Sequence, residues 1–319
     1  MPLIDMSLEQ LYQYEGRNPL PTDFDEYWDR ALSEMKATDS QVELVPSSFQ
    51  VPHAECFHLY FTGVRGARIH AKYVRPKHIK GPHPAIVSFH GYSGRSGDWS
   101  DLLSYPSLGI AVFAMDCRGQ AGLSEDTGAV RGTTYSGHII RGLDSGSDDL
   151  LFRHIFLDAA QLAGIAMERP EIDPNRVGAM GGSQGGGLAL ACASLEPRIR
   201  RVAPFYPFLS DYKRVWEMDL AKDAYQELQA YFRNFDPLHE REDAIFERLG
   251  YIDIQHLVPR IRAEVLMAVG LMDTVCPPST QFAAFNKITA PKSLEIYPDF
   301  GHELLPFFQD KTIQFMLGM

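Results

Sequence analysis

The 319-residue sequence has no excess of basic side chains and no long apolar run. Its 30 Lys and Arg residues stand against 41 Asp and Glu residues, so the formal net charge is −11 at pH 7. This balance argues against binding to nucleic acid or to an anionic membrane surface, because both attract clustered Lys and Arg. No apolar run approaches the length of about 18 residues that a membrane-spanning helix needs. We therefore expect partners of neither kind.

Cysteines are few and scattered. The four of them form no Cys-x-x-Cys pair and no group with metal-ligand spacing: Cys56, Cys117, Cys192 and Cys276. In a chain of this size they are expected to be reduced, mostly buried thiols, and we expect no metal and no other cofactor. Residues 1–5 show no basic start of a classical secretory signal, although a cleaved signal would leave no trace. These features favour a cytoplasmic protein.

The apolar pattern predicts an α/β fold. Residues 56–61 and 68–74 alternate as half-buried antiparallel strands do, and 294–297 form a further short strand. Unbroken apolar runs, which are typical of parallel strands buried on both faces, occupy 84–89, 109–115, 176–180, 202–205 and 265–269. The segments between them are long enough for crossover helices. We therefore predict a mostly parallel central sheet flanked by helices, opened by an antiparallel hairpin, in one domain over 1–319.

Two segments lie outside this alternation. Residues 1–40 predict a helical lead-in, with Thr22 or Asp23 as the helix cap. Its apolar side chains form one stripe at helical spacing: Phe24, Tyr27, Trp28 and Leu32. Residues 210–260 carry aromatic side chains in a helical pattern and predict an insertion above the carboxyl edge of the sheet, where ligands bind. Both segments either cover the core or offer apolar surface to a subunit interface.

The sharpest motif is Gly181-Gly182-Ser183-Gln184-Gly185, which lies between a predicted strand and a predicted helix. Gly-x-Ser-x-Gly in this context is a nucleophile elbow, a tight turn that projects the serine hydroxyl at the end of a strand. The positive end of the following helix then faces a developing oxyanion. Short Gly/Ser runs also occur in plain turns, so the catalytic interpretation of Ser183 depends on finding its partners.

A nucleophilic serine needs a base and a group that orients the base. Asp273 follows the strand at 265–269, and His302 lies between the strand at 294–297 and the last helix. The order Ser, Asp, His is the one that α/β-hydrolases use. Asp299 is the alternative orienting carboxylate, but it is too close to His302 in sequence to reach it from a neighbouring strand.

An acyl-transfer site also needs hydrogen-bond donors for the oxyanion. The loop after the strand at 84–89 carries His90-Gly91-Tyr92, in the position from which a backbone N–H completes such a hole. We expect the backbone N–H groups of Tyr92 and Gln184 to be the two donors. Arg118 follows another strand and could bind a carboxylate, but its fork of donors favours a structural role between loops.

Three ordered motifs resemble the signature of carbohydrate esterase family 7, which comprises cephalosporin C deacetylases and acetyl xylan esterases. They are Arg118-Gly119-Gln120, the pentapeptide around Ser183, and His302-Glu303. The resemblance extends over essentially the whole chain, with further matches at 23–28, 173–177 and 277–280. One departure is Leu150-Leu151-Phe152-Arg153, where the family tends to have a tyrosine-rich run.

The resemblance implies an α/β-hydrolase fold and an intracellular, metal-free enzyme that deacetylates small acetylated sugars and cephalosporin C. It also implies a hexamer built as a trimer of dimers, with active sites that face an internal cavity. By the same resemblance, the site consists of a catalytic triad and an oxyanion hole: Ser183, Asp273 and His302, with Tyr92 and Gln184.

The sequence leaves three alternative functions open. A serine peptidase of the prolyl oligopeptidase kind shares the fold, but it usually carries a large extra domain that this sequence lacks. A lipase would show more exposed apolar residues. A catalytically inactive binding protein commonly loses one member of the triad, whereas this sequence contains candidates for all three.

Overall fold

One sheet organises the part of the chain that the structure, a computed structural model, describes: residues 4–128 and 138–319. Nine strands from these residues are hydrogen-bonded in the order β1-β2-β3-β5-β4-β6-β7-β8-β9. Their bounds are β1 Glu43–Pro46, β2 Ala54–Thr62, β3 Arg68–Pro76, β4 His83–Phe89, β5 Ala111–Met115, β6 Ile172–Gly182, β7 Arg201–Phe205, β8 Glu264–Gly270 and β9 Lys292–Tyr297.

The pairing matches the predicted topology. Strands β1, β2, β3 and β5 pair antiparallel in that sequence, and β5, β4, β6, β7, β8 and β9 are parallel neighbours. The predicted mostly parallel sheet with an antiparallel opening is therefore confirmed. The sequence analysis did not predict the edge strand β1, because its mostly exposed residues show no apolar alternation.

Helices cover both faces of the sheet. Alternate side chains of β5 show this division, since Phe113 belongs to the larger core and Val112 to the smaller one. The larger core includes residues of α2, α4 and α5, whereas the smaller one includes Tyr105 of α3 and Met316 of α11. The helices are α1 Leu8–Gln13, α2 Phe24–Ala37, α3 Ser104–Ser107, α4 Leu151–Glu168, α5 Gln184–Leu195, α6 Tyr212–Glu217, α7 Gln226–Phe235, α8 Glu242–Gly250, α9 Ile254–Leu257, α10 Pro278–Lys287 and α11 Phe308–Leu317.

The predicted lead-in forms α1 and α2, and its apolar stripe covers the core. Trp28 is fully buried, and its Nε1–H donates to the carbonyl of Tyr251 over 3.0 Å. Asp23 occupies the N-cap position of α2, but its side chain makes no capping bond, because its carboxylate accepts from the hydroxyl of Tyr251. The predicted cap residue is therefore confirmed at Asp23, without a side-chain capping bond. The departure at residues 150–153 contributes to the same packing, since Arg153 binds Glu34 of α2 over 2.7 Å.

The segment before α2 is tied to distant parts of the chain by hydrogen bonds. The Asp5 carboxylate accepts from Arg214 over 2.8 Å and from the backbone N–H of Ser279 over 2.7 Å. The hydroxyl of Tyr14 donates to the buried carboxylate of Asp211 over 2.7 Å. Residues 5–14 thus fasten the start of the 210–260 segment to α10.

Residues 210–260 form the predicted helical insertion between β7 and β8, with helices α6 to α9. Most of its aromatic side chains are buried: Tyr212, Tyr225, Tyr231, Phe232 and Phe246. They fill the core beneath the insertion, as those of the α2 stripe do. Of the two alternatives, these aromatic side chains and most of the α2 stripe therefore follow the first and cover the core.

The predicted state of the cysteines is confirmed, because all four are free and buried. Among the helices of the described residues, none is both long and apolar enough to cross a membrane.

Candidate active site

Ser183 lies in the sharp turn between β6 and α5. Its backbone has φ +57° and ψ −122°, a strained conformation that L-residues seldom adopt outside functional sites. The turn also demands the neighbouring glycines. A Cβ atom on Gly181 would lie 2.5 Å from the carbonyl oxygen of Gly185, and one on Gly185 would lie 2.1 Å from the carbonyl oxygen of Phe89. The local structure is therefore that of the predicted elbow.

The structure brings Ser183, His302 and Asp273 into one hydrogen-bonded chain. His302 Nδ1 lies 2.8 Å from Asp273 Oδ2, and His302 Nε2 lies 2.9 Å from Ser183 Oγ. Asp273 is fully buried, and its other oxygen accepts from the N–H groups of Val275 and Cys276 over 2.8 Å each. With Nδ1–H donating to this fixed carboxylate, Nε2 is free to accept the serine proton.

The alternative orienting carboxylate does not enter this arrangement. Asp299 is exposed at the end of the turn after β9, while the His302 ring bonds to Asp273.

One predicted oxyanion donor is next to Ser183 in the chain, and the other lines the same cavity as Ser183. Gln184 follows Ser183 as the first residue of α5, and Tyr92 is the donor in the cavity lining. Within the described residues, neither backbone N–H has a hydrogen-bond acceptor. Both donors therefore remain available to bind a developing oxyanion at the positive end of α5.

Gln120 connects the two donor segments, a contact that the sequence analysis did not predict. Its amide pairs with that of Gln184 through two hydrogen bonds of 2.8 and 3.0 Å, and its Oε1 also accepts from Ser93 N–H over 2.9 Å. The only sequence signal was its place in the Arg118-Gly119-Gln120 motif. The predicted structural role of Arg118 is confirmed, because its guanidinium makes two bonds of 2.7 and 2.6 Å to Asp158 of α4.

Glu227 of the insertion is a second residue near the site that the sequence analysis missed. Its carboxyl is buried and accepts a hydrogen bond from the hydroxyl of Tyr92. Burial raises the pKa of Glu227 to about 8, against two backbone hydrogen bonds that lower it. A single glutamate in an amphipathic helix carries no local signal that distinguishes it from a surface residue.

The site opens into a cavity of about 750 Å³. Ser183 and His302 lie in its lining, and the ring of Tyr206 packs 4.4 Å from the imidazole of His302. The walls are mostly aromatic and apolar, whereas Arg95 and Asp223 add charged groups. Such a lining suits a small uncharged acyl group next to a polar alcohol.

Asp273, Cys276 and His302 also offer three ligand atoms within 4.8 Å of one another. The arrangement fits a proton relay better than a metal site. The bond between His302 and Asp273 occupies one atom of each, and burial raises the pKa of the Cys276 thiol well above its usual range. A buried neutral thiol is a poor metal ligand, because the thiolate is the form that binds.

The chain is similar over its whole length to known proteins. The acetyl xylan esterase (AXE1) family model matches residues 1–319. Acetyl xylan esterase 1 from Thermoanaerobacterium sp. JW/SL YS485 is 62% identical, with a TM-score of 0.97 over 99% of both chains. An acetyl xylan esterase from Paenibacillus sp. R4 is 35% identical, with a TM-score of 0.92 over 98% of this chain and 99% of the other.

More distant similarities agree with this result. Acetyl esterase Axe7A of Xylanibacter ruminicola is 27% identical over 287 residues, which cover 87% of this chain. The match spans only 62% of Axe7A, so that relative is considerably longer. An acylaminoacyl peptidase of Pyrococcus horikoshii is 16% identical with a TM-score of 0.58, over 84% of this chain and 41% of the peptidase, and shares the fold alone.

Proposed function

Since the chain belongs to the acetyl xylan esterase family, we propose that it hydrolyses acetyl esters of small carbohydrates, with Ser183 as nucleophile. The observation that carries the proposal is the hydrogen-bonded chain from Ser183 through His302 to Asp273 at an open cavity. No metal or cofactor takes part. The same contacts disfavour an inactive binding protein, because all three groups are in place for proton transfer.

The hydrogen bonds of Ser183, His302 and Asp273 support the following mechanism. His302 Nε2 takes the proton of Ser183 Oγ as the oxygen attacks the acetyl carbonyl carbon. The carbonyl oxygen becomes an oxyanion, which the N–H groups of Tyr92 and Gln184 bind. The ester bond then breaks, and the sugar hydroxyl leaves with the proton held by His302. Asp273 keeps the imidazole in its productive tautomer and stabilises its cation.

The acetyl-enzyme is hydrolysed by the same relay in reverse. A water molecule takes the place of the departed alcohol, and His302 Nε2 removes one of its protons as it attacks the acetyl carbon. The second tetrahedral intermediate collapses to acetate, and His302 returns the proton to Ser183 Oγ. No group of the enzyme is consumed.

We propose acetylated xylo-oligosaccharides as the main substrates and cephalosporin C as a further acetyl ester that the site accepts. The names of the two similar acetyl xylan esterases support the first, and the signature motifs support both. The cavity contributes a physical argument, because Arg95 and Asp223 give its lining charged groups that can hydrogen-bond to sugar hydroxyls.

We also propose a cytoplasmic hexamer built as a trimer of dimers. The whole-chain family match supports the assembly, and the free cysteines are compatible with a reducing compartment. Among the described residues, the large apolar side chains with the greatest exposure are Leu238, Leu304 and Phe307, and exposed apolar side chains often lie in interfaces.

The test is the Ser183→Ala variant, assayed with p-nitrophenyl acetate and with acetylated xylo-oligosaccharides. We expect kcat to fall by several orders of magnitude, because loss of a triad nucleophile costs about a million-fold in a well-studied case. The thermal midpoint should barely change, since only one oxygen is removed. Residual activity above about one per cent of the parent would exclude Ser183 as nucleophile.

A further inference from the structure

Glu227 is a buried carboxyl group with no part in the proton relay. It belongs to α7, and only 5% of the residue is exposed. No Lys, Arg or His among the described residues forms a salt bridge with it. Glutamate is seldom buried to this degree without a charged partner, because desolvation penalises the carboxylate. The hydrogen bonds that the Glu227 carboxyl group makes must therefore offset the cost of burying it.

These hydrogen bonds join three segments of the chain. Glu227 Oε1 accepts from the hydroxyl of Tyr92 in the loop after β4. Glu227 Oε2 accepts from the backbone N–H groups of Ile139, over 2.8 Å, and Ile140, over 3.2 Å. The N–H of His138 donates to the same Tyr92 hydroxyl over 3.1 Å. One carboxyl group thus fastens the insertion to the Tyr92 loop and to residues 138–140.

Glu227 fixes the side chain of Tyr92, and the backbone N–H of Tyr92 is the proposed oxyanion donor. Its ring packs edge-to-face against His138 at 5.0 Å and against Phe208 at 5.4 Å, while its hydroxyl is fixed by Glu227. Phe208 in turn donates its N–H to the carbonyl of Ser183 over 3.0 Å. Because ring and N–H share one Cα, fixing the ring also restricts the direction of the N–H.

We infer that Glu227 is a positioning residue for the oxyanion hole, which aims the backbone N–H of Tyr92 through that side chain. The inference rests on the proposed function, because it assigns a purpose to the Tyr92 donor. An oxyanion donor acts chiefly in the transition state, so its loss lowers kcat more than it changes KM. Displacement of a reacting group by 1 Å can cost about 100-fold in rate.

A glutamine can replace Glu227 in this role. Burial raises the pKa of Glu227 to about 8, so the neutral carboxylic acid dominates at neutral pH. An amide of the same shape accepts from the two isoleucine N–H groups through its oxygen, as the carboxyl group does. Its NH₂ group donates to the Tyr92 oxygen, so the contact with Tyr92 is kept with its direction reversed. An alanine provides neither contact.

The experiment compares four variants with the parent on p-nitrophenyl acetate: Glu227→Ala, Glu227→Gln, Tyr92→Phe and the double Glu227→Ala/Tyr92→Phe. We expect Glu227→Ala and Tyr92→Phe each to lower kcat by about 10- to 100-fold with KM little changed. Glu227→Gln should retain most of the parent kcat. The double variant should be no slower than the slower single variant, because both substitutions remove the same hydrogen bond between Tyr92 and Glu227.

A matched control lies on the same helix. The hydroxyl of Tyr231 donates to Asp144 over 2.6 Å, away from the donor loop. Tyr231→Phe removes a comparable hydrogen bond from α7, so it should lower the thermal midpoint without changing kcat. A trifluoromethyl ketone analogue, which forms the oxyanion on the enzyme, should bind Glu227→Ala more weakly than the parent, by a factor similar to the loss in kcat.

Parent-like kcat in folded Glu227→Ala would overturn the inference, and so would losses that multiply in the double variant. Equal losses in Glu227→Gln and Glu227→Ala would also contradict it. If Glu227→Ala does not fold, Tyr92→Phe decides alone, because it removes one oxygen and keeps the backbone N–H. The proposed function is tested separately, since it fails if the parent does not hydrolyse acetyl esters or if Ser183→Ala remains active.

Discussion

Two aspartates lie near His302 in sequence or in space, and the structure assigns them different environments. Asp273 is fully buried and bonded to the imidazole, whereas Asp299 is exposed. We expect Asp273→Asn to lower kcat by about 10⁴-fold, because the amide favours the wrong imidazole tautomer. Asp299→Asn is the matched control and should retain parent activity. Steady-state rates of the two variants on p-nitrophenyl acetate provide the check, and a reversed order would identify Asp299 as the orienting group.

Asp116 predicts an acid-dependent contribution to stability. Burial raises its pKa, but hydrogen bonds from His70 and from the N–H groups of Ser96 and Leu123 outweigh this effect and lower the pKa to about 2. The lowered pKa stabilises the fold above the unfolded value of about 4, by about 2 kcal/mol, and this contribution is lost as pH falls through 2.

Urea unfolding of the parent and of Asp116→Asn tests this contribution. At pH 7 the variant should be less stable by at least about 2 kcal/mol, and the pH-dependent part of that difference should fall by about half at pH 3. A difference that stays constant between these pH values would show that the Asp116 carboxylate titrates alike in folded and unfolded chains.

The candidate triad was predictable from sequence, whereas its supporting residues were not. Ser183, Asp273 and His302 each follow a strand in the order that α/β-hydrolases use, and the alternative Asp299 could be set aside because it is too close to His302 in sequence. Gln120 and Glu227 act through contacts 64 and 135 residues away, to Gln184 and Tyr92. Neither residue type nor spacing encodes such a contact, because it depends on how loops from different strands meet.

At the scale of elements, the ion pair of Arg118 and Asp158 joins the end of β5 to α4. Both side chains are at most 1% exposed, and Arg118 also donates to the carbonyl of Val64 over 3.2 Å. Arg118→Ala leaves a carboxylate buried without its partner, so we expect a loss of about 3–5 kcal/mol in the free energy of unfolding.

The double variant Arg118→Met/Asp158→Leu separates the contribution of the ion pair to the free energy of unfolding from the cost of leaving Asp158 buried without a partner. It should recover much of the stability lost in Arg118→Ala, because replacement of a buried pair by apolar residues is often neutral. Equal destabilisation of the single and double variants, measured by urea unfolding, would contradict this explanation.

Strands could be predicted from the sequence where burial determines their apolar pattern. The central strands are apolar on both faces because helices cover both, so their positions emerge from unbroken runs. The edge strand β1 has no such requirement and contains Pro46, and its residues gave no strand pattern. The N-cap residue of α2 was one of the two candidates, but the absence of a side-chain capping bond could not be predicted, since the hydroxyl of Tyr251, 228 residues away, binds the Asp23 carboxylate.

At the scale of the whole molecule, the assembly is the main open expectation. Burial of the α2 stripe and of the insertion aromatics removes the support that the sequence offered, so the family match is the main argument. Light scattering of the purified protein should give about six times the chain mass of 35.8 kDa. A mass of one chain in dilute solution would exclude the hexamer and any size filter from an internal cavity.

The hydrogen bond between Asp5 and Ser279 has a consequence for folding of the chain during its synthesis. These residues are 274 positions apart, so a ribosome working at about 5–20 residues per second needs on the order of tens of seconds to supply the second after the first. Until then, the opening segment and the 210–260 helices lack their common anchor on α10. We expect the nascent chain during that interval to expose aromatic side chains of the insertion that are buried in the finished protein, and therefore to be open to binding by molecular chaperones.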